Sequence, residues 1–188
     1  MNEHNTDRHG SGYAIWIGPN ANSKEYASLE RCIERIAVTH NTPTFPPHLT
    51  LLSGIKFDEA TVVEQVRLLA ASLQPLTIEL EEVDAGKTYF QALFVRAKQT
   101  SELMAANHLA QQHCHRHKPI FTPHASLAYG DLTPATAAHI KYVFAEQIAA
   151  TRCTFTTHSL DLWNTRGPLE TWHHIKRFPL TNTPENSP

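Results

Sequence analysis

Two short segments of the sequence each place a histidine two residues before a hydroxyl side chain in an apolar context. They read PHLT and PHAS, and their histidines are His48 and His124. Alternate side chains of a β-strand point to the same face, about 7 Å apart. If both segments are strands, His48 shares a face with Thr50 and His124 shares one with Ser126. The pattern predicts two imidazole–hydroxyl pairs that can converge if the strands are neighbours or face each other across a cleft.

Two such pairs suit the hydrolysis of a phosphodiester without a metal ion. Because imidazole has a pKa of about 6.5, one histidine can take a proton from the attacking water while the other gives one to the leaving oxygen. The hydroxyls can donate hydrogen bonds to the non-bridging oxygens as negative charge builds on them. We therefore predict His48, Thr50, His124 and Ser126 as catalytic residues. The sequence does not say which histidine is the base.

The tripeptide alone is weak evidence, because histidine followed after one residue by serine or threonine occurs five times in the chain. Only the copies at His48 and His124 follow a proline and sit inside an apolar segment. A single buried strand histidine is more often a hydrogen-bonded structural residue than a catalyst. The same polar pair in two corresponding places favours catalysis, because packing alone would not require it twice.

Hydrophobic periodicity predicts the elements that must position these residues. The predicted strands cover Tyr13–Ile17, His48–Ile55, Leu76–Glu81, Tyr89–Ala97, His124–Tyr129, Cys153–Asn164 and Glu170–Arg177. The predicted helices run from Ser23 to Thr39, Asp58 to Leu73, Ser101 to His117 and Thr133 to Ala150. A helix precedes and follows each histidine strand. This order indicates two similar halves of mixed α+β class with antiparallel pairing.

The length and composition of the chain limit which domain organisation and which binding partners are expected. We predict one domain over residues 13–181 between polar, disordered tails at 1–12 and 182–188. The net charge of −2 lacks the basic excess typical of proteins that bind long nucleic acids. No apolar segment has the roughly 20 residues of a membrane span or forms a signal-peptide core. Three scattered cysteines favour a reducing compartment. We expect a cytoplasmic monomer that binds neither membranes nor long nucleic acids.

The segment HCHRH invites a different interpretation, as a metal site. On a helix, His113 and His117 would share a face, as two zinc ligands can. However, no carboxylate follows in the required pattern, and cationic side chains at a helix end are stabilised by the helix dipole. The sequence also has no glycine-rich phosphate loop. We therefore predict a solvated helix end, no metal and no cofactor.

The paired motifs resemble those of the 2H phosphoesterase superfamily, which is named for two His-x-Thr/Ser motifs. Further similarity to its cyclic nucleotide phosphodiesterases, the subfamily that acts on by-products of tRNA splicing, extends over nearly the whole predicted domain. The matching segments are Ala14–Pro19, Pro47–Thr50, Gly86–Gln91, Pro123–Tyr129 and Leu169–Trp172. Serine in place of threonine at Ser126 retains the hydroxyl of the motif.

The resemblance implies a bilobal α+β fold in which two antiparallel sheets face a central cleft and helices lie outside. It also implies metal-independent hydrolysis of ADP-ribose 1″,2″-cyclic phosphate to ADP-ribose 1″-phosphate, and of nucleoside 2′,3′-cyclic phosphates to 2′-phosphates. The substrate is then a small nucleotide. Tyr129 and Tyr89 match aromatic substrate contacts of the family, whereas we expect Trp16 and Trp172 in the core or between lobes.

Two other functions remain open at this point. Bacterial 2H relatives process RNA 2′,3′-cyclic ends or 2′–5′ linkages, a function that the net charge of −2 disfavours. The third possibility is a nucleotide-binding module without catalysis. Intact histidines and hydroxyls in both motifs argue against it.

Overall fold

Eight strands and five α-helices make up the part of the chain that the computed structural model describes, residues 8–180. Strands β1 to β8 span Tyr13–Ile17, Leu49–Ile55, Leu76–Asp84, Leu93–Ala97, His124–Ala128, Thr154–Thr157, Ser159–Asn164 and His173–Pro179. Helices α1 to α5 span Lys24–His40, Glu59–Ser72, Ser101–His113, Pro134–Val143 and Ala145–Ala150. Short 3₁₀ turns occur at Tyr89–Gln91 and Leu169–Thr171.

All strands pair antiparallel in the order β6-β3-β4-β5-β2-β1-β7-β8. The two histidine strands, β2 and β5, lie at the centre, each followed outward by three more strands. They pair with each other through Leu49 and Ala125 alone. The predicted antiparallel α+β fold with two lobes is therefore confirmed, and the two predicted sheets are joined at their inner strands.

The lobes are not consecutive halves of the chain. β3 to β6 form one lobe, whereas β7 and β8 return to pair beside β1 in the other. The predicted strand from Cys153 to Asn164 is divided at His158 for this reason. Before it, Phe155 pairs with Ile78 of β3; after it, Leu162 pairs with Ile15 of β1. One stretch of sequence thereby joins both lobes.

Three helix starts agree with the capping residues predicted from the sequence. The side chains of Ser23, Asp58 and Thr133 each accept a hydrogen bond from a backbone N–H in the first turn, which satisfies a donor that the helix leaves unpaired. The buried stripe of α1 includes Leu29, Ile33 and Ile36, at the spacing of one helix face. Burial of each such side chain contributes about 1.5–3 kcal/mol.

Helix α3 fixes the position of the first histidine strand. Its buried residue Asn107 donates a hydrogen bond from Nδ2 to the carbonyl oxygen of Leu51 in β2, at 2.7 Å. The Asn107 side-chain oxygen accepts from Gln111 at 2.7 Å. Because both polar ends of the amide are paired, α3 can pack against the sheet without leaving Leu51 unsatisfied.

Several predicted boundaries differ from the structure. Helix α3 ends at His113, and His115 adopts φ 45°, so His117 is not helical. Tyr89–Gln91 forms a 3₁₀ turn instead of the start of β4, and the predicted final helix is interrupted at Phe144. At Phe144 the apolar pattern continues through a change of backbone direction, whereas at His113 the helix ends although no helix-breaking residue precedes Pro119.

The predicted N-terminal tail also differs from the structure at its inner end. Gly10 pairs with Gly167, and the carbonyl of Gly12 accepts hydrogen bonds from the backbone and the hydroxyl of Thr165. Gly12 has φ +74° and lies against Ile55, where a side chain would clash. The remaining predicted tail residues, 1–7 and 182–188, lie outside the described residues.

Two further features concern the predicted environment of the protein. Between residues 8 and 180, no helix combines the length and the apolar character needed to cross a membrane. The three cysteines are free thiols, and burial raises the pKa of Cys32 to about 11 and that of Cys114 to about 12.

Candidate active site

The two motif histidines are held in the same way. His48 Nδ1 lies 2.7 Å from the carbonyl oxygen of Pro46, and His124 Nδ1 lies 2.7 Å from that of Thr122. A carbonyl oxygen can only accept, so each Nδ1 must carry the proton and donate. In the neutral imidazole this leaves the lone pair on Nε2. Both strands thus fix the tautomer through the residue two positions earlier.

Each Nε2 atom faces one polar side chain. The hydroxyl of Tyr129 lies 3.4 Å from His48 Nε2, and the amide nitrogen of Gln91 lies 3.5 Å from His124 Nε2. Both contacts are longer than a typical hydrogen bond of about 2.9 Å. These groups can keep the Nε2 lone pairs oriented and are easily displaced by a ligand.

The four predicted catalytic side chains line one cavity of about 520 Å³. His48 directly precedes β2 and Thr50 lies on it, whereas His124 and Ser126 lie on β5, so the central strand of each lobe positions one pair. The intervening Leu49 and Ala125 belong to the hydrophobic core. This alternation is the one predicted from the strand period of two. Ser126 Oγ donates to the carbonyl of Phe90 at 3.1 Å in this structure.

Aromatic rings fix the plane of each imidazole. Trp16 of β1 stacks on His48 with ring centroids 3.5 Å apart and planes inclined by 11°. Trp163 stacks on the other side of Trp16 at 4.3 Å. Phe94 contacts His124 at 4.9 Å. Trp16 is buried, as expected, but it also lines the cavity and orients a predicted catalytic ring.

Burial controls the protonation of both histidines. Loss of solvent lowers the pKa of His48 to about 4, a shift that the Pro46 hydrogen bond opposes and the proximity of His124 increases. Burial likewise lowers the pKa of His124, with a smaller contribution from the Lys118 ammonium. In the ligand-free protein at neutral pH, His48 is therefore neutral and its Nε2 can accept a proton.

This pKa shift predicts a pH-dependent stability. The unfolded chain protonates His48 near pH 6.5, whereas the folded protein protonates it near pH 4, so the unfolded state binds more protons between these values. Stability is therefore complete above about pH 6.5 and falls as the pH approaches 4, by about 3 kcal/mol from this residue. Urea unfolding of the wild type and of His48→Phe checks this. The variant should lose less stability over that range, and equal losses would contradict the shift.

The two predicted aromatic contacts are placed differently. Tyr129 is buried, lines the cavity and stacks on Phe45 with centroids 3.8 Å apart. Tyr89 lies in the 3₁₀ turn, 6.5 Å from Tyr129, and is not among the residues that line the cavity. Its neighbour Phe90 lines the cavity instead and stacks on Trp172, which was expected in the core or between lobes. Phe90 and Trp172 form an aromatic wall.

The structure adds two cationic residues that the sequence analysis did not assign to the site. Arg116 and Lys118 line the same cavity as the histidines. Arg116 belongs to the segment HCHRH that was interpreted as a solvated helix end, and Lys118 follows that segment directly. The prediction that the helix continues to His117 concealed this position, because α3 ends at His113. The only available signal was the concentration of basic residues shortly before the second motif.

The alternative metal interpretation receives no geometric support in the described part of the chain. Residues 8–180 contain no group of three or more His, Cys, Asp or Glu side chains placed to hold a metal ion. His113 and His117 do not share a helix face, because α3 ends at His113. Independence from metal and cofactor stays a prediction.

A comparison with known protein families shows to which family the chain belongs. The model of the cyclic phosphodiesterase-like protein family matches residues 11–180. The chain belongs to this family. The predicted membership of the 2H phosphoesterases is thereby confirmed, and the match makes the chain an enzyme of the cyclic phosphodiesterase type.

Relatives of this cyclic phosphodiesterase-like protein include a Kluyveromyces lactis protein named 2′,3′-cyclic-nucleotide 3′-phosphodiesterase. It is 25% identical over 90% of this chain and 89% of its own length. An Arabidopsis thaliana protein named cyclic phosphodiesterase is 25% identical over 64% of this chain and 66% of its own.

Two crystal structures share the fold of this cyclic phosphodiesterase-like protein. A Thermus thermophilus protein gives a TM-score of 0.61 at 14% identity, covering 90% of this chain and 97% of its own. Escherichia coli LigT complexed with phosphate gives 0.52 at 15% identity, covering 92% and 99%. The whole bilobal arrangement is therefore common to these proteins.

Proposed function

We propose that this protein hydrolyses cyclic phosphates of small nucleotides without a metal ion. The observation that carries the proposal is the convergence of two imidazole–hydroxyl pairs, on the central strands of the two lobes, in one cavity. The substrates proposed are nucleoside 2′,3′-cyclic phosphates, opened to 2′-phosphates, and ADP-ribose 1″,2″-cyclic phosphate, opened to ADP-ribose 1″-phosphate. The name of the Kluyveromyces lactis relative supports cleavage at the 3′ oxygen.

The difference in burial between the two histidines supports one distribution of the acid–base roles. His48 has its pKa lowered to about 4, so Nε2 is the base that removes a proton from the attacking water. The water oxygen then forms a bond to phosphorus while the P–O3′ bond breaks. His124, which is less buried than His48, gives a proton from Nε2 to the departing 3′ oxygen. The negative charge of the bound phosphodiester favours the protonated form of His124 that this step needs.

The two hydroxyls stabilise charge on the non-bridging oxygens. Thr50 and Ser126 lie one strand repeat from their histidines, on the same face. In the ligand-free protein Ser126 donates to Phe90, so its hydroxyl rotates towards the phosphate when the substrate binds. Donors aimed at a developing oxyanion are each worth about 10²–10³ in rate.

The remaining cavity wall suits a nucleoside. Phe90 and Trp172 present aromatic rings on which a nucleobase can stack, and the Tyr129 hydroxyl can move from His48 to a phosphate oxygen. A direct contact of Tyr89 with the substrate has less support, since that residue does not line the cavity. A monomeric state and a cytoplasmic location stay predictions from the sequence.

One observation favours a second candidate, the processing of RNA 2′,3′-cyclic ends or 2′–5′ linkages. Arg116 and Lys118 supply the basic residues at the cleft that such an activity uses. Against it stands the net charge of −2, because affinity for a long strand depends on several phosphate contacts. A binding module without catalysis would not need the matched tautomers of His48 and His124.

Product analysis in EDTA separates these functions. We expect adenosine 2′,3′-cyclic phosphate to yield adenosine 2′-phosphate at the same rate with and without EDTA, because no step requires a metal. A trinucleotide with a cyclic end serves as the competing substrate, and chromatography identifies the products. Formation of the 3′-phosphate, or inhibition by EDTA that added Mg²⁺ or Zn²⁺ reverses, would contradict the mechanism. Turnover of the trinucleotide alone would favour the RNA function, and binding without turnover would favour the module.

A further inference from the structure

Arg116 and Lys118 are held against the end of the first histidine strand. Lys118 Nζ donates to Ser53 Oγ at 3.3 Å. The Arg116 guanidinium lies over Gly54, so closely that a Cβ at that position would be 3.2 Å from Nη2. Gly54 has φ +75°, a conformation that favours glycine. The bare backbone at Gly54 thus provides the space that brings the guanidinium into the cavity.

Neither cation is neutralised by a carboxylate in the described structure. Within residues 8–180, Arg116 and Lys118 form no ion pair, whereas several basic side chains elsewhere do, namely Arg8, Arg67, Arg96, Lys98 and Arg177. Burial of the ammonium and the neighbouring Arg116 lower the pKa of Lys118, although the residue as a whole is exposed. Two like charges held together without a counter-charge form a site that an anion would stabilise.

Arg116 and Lys118 lie along β2 from the catalytic centre. From Thr50 to Ser53 is three residues along an extended strand, or about 10 Å. If a cyclic phosphate is bound between the two histidines and its sugar points along β2 towards Ser53, the 5′-phosphate chain of the same nucleotide extends to these cations.

We propose that Arg116 and Lys118 bind a second phosphate group of the substrate, carried on the 5′ side of the sugar whose cyclic phosphate is hydrolysed. This assignment rests on the proposed function and narrows its substrate class to small nucleotides with a 5′-phosphate or diphosphate. The guanidinium can contact two phosphate oxygens at once, and the ammonium adds a third charge-assisted hydrogen bond.

The wall beyond the two cations favours a small nucleotide over an RNA strand. Past Lys118 the cavity continues along Ile120, which is 77% exposed, and Phe121. These apolar side chains offer no charge to further phosphates. A strand would need a longer row of cations for stable binding, whereas one 5′-phosphate chain needs only this pair.

The test compares substrates that differ only on the 5′ side. The substrates are adenosine 2′,3′-cyclic phosphate, its 5′-diphosphate derivative and a trinucleotide with a cyclic end. Each is assayed with the wild type, Arg116→Gln and Lys118→Gln, with Arg152→Gln as a control that removes an exposed cation outside the cavity. Calorimetric binding of ADP to the same four proteins provides a readout that does not require turnover.

We expect the wild type to have a kcat/KM about 10- to 100-fold higher for the 5′-diphosphate derivative than for the unmodified substrate. Arg116→Gln and Lys118→Gln should each remove about 10-fold or more of that advantage through KM. Any change in kcat/KM on the unmodified substrate should be smaller than the change on the 5′-diphosphate derivative. Arg152→Gln should change nothing.

Each of the following outcomes would contradict a defined part of the proposal. Equal kcat/KM for the two mononucleotides, or equal losses on both in the variants, overturns the second phosphate site. A wild-type preference for the trinucleotide that Arg116→Gln abolishes overturns the assignment to small nucleotides. If the wild type hydrolyses none of the substrates, the proposed function fails. In that case the binding of ADP still tests the second phosphate site. A Kd for ADP raised about 10-fold in Arg116→Gln and Lys118→Gln supports this site, and an unchanged Kd overturns it.

Discussion

Replacing either motif histidine with asparagine is expected to lower kcat on adenosine 2′,3′-cyclic phosphate by about 10²–10⁴. Asparagine can still donate from its amide to the carbonyl that Nδ1 contacts, at Pro46 for His48 and at Thr122 for His124. It cannot take up or release a proton at neutral pH. The loss should therefore appear in kcat under saturating substrate, measured by chromatography of the 2′-phosphate.

The matched control is His108→Asn. His108 lies on the exposed side of α3, where its Nε2 lies 3.0 Å from the side-chain amide nitrogen of Gln112. This variant should keep wild-type kcat. A His48→Asn or His124→Asn variant that stays folded by circular dichroism and turns over within threefold of the wild type would contradict the assigned role.

Removal of either motif hydroxyl should have the next largest effect on turnover. We expect Thr50→Val and Ser126→Ala each to lower kcat by about 10²–10³, since each removes one donor to the oxygens on which charge develops. The conservative variants Thr50→Ser and Ser126→Thr keep a donor and should retain most of the activity. Steady-state kinetics on the four variants, with KM determined separately, measure the loss.

A hydroxyl on an outer strand provides the control for these variants. Thr77 is exposed on β3 and contacts Thr156 there, so Thr77→Val should leave kcat unchanged. If Thr50→Val raises KM but keeps kcat, the hydroxyl binds the ground state and the transition state equally well. That result would contradict a role for Thr50 in preferential stabilisation of the transition state.

Local chemistry made the motif strands and helix starts predictable from the sequence. The alternation around His48 and His124 places polar and apolar side chains on opposite faces, as the structure shows. Ser23 and Asp58 made the starts of their helices predictable, because a capping side chain forms its hydrogen bond within the first turn. Such features depend on neighbours in the sequence and are therefore visible without the fold.

Other features depend on contacts between distant segments. The stacking of Trp16 on His48 follows from the pairing of β1 with β2, which no local pattern reveals. The approach of Arg116 to Gly54 requires α3 to end early and the chain to turn back over β2. Tyr89 was predicted on a strand because its apolar neighbours continue into β4 without a break.

The exchange of terminal strands between the lobes is likewise a tertiary property. β7 follows β6 after a single residue, His158, yet pairs in the other lobe. In this position Leu160 and Leu162 are buried, and Leu162 pairs with Ile15 of β1. The sequence shows the apolar alternation of both strands and gives no sign of which partner each one takes.

A crystal structure with adenosine 2′,3′-cyclic vanadate would show whether both histidines act on one phosphorus, because five-coordinate vanadium imitates the phosphorus during displacement. We expect His48 Nε2 and His124 Nε2 within hydrogen-bonding distance of the two apical oxygens, on opposite sides of the vanadium, with Thr50 and Ser126 at equatorial oxygens. Vanadate held by one imidazole alone, or bound outside the cavity between β2 and β5, would contradict it.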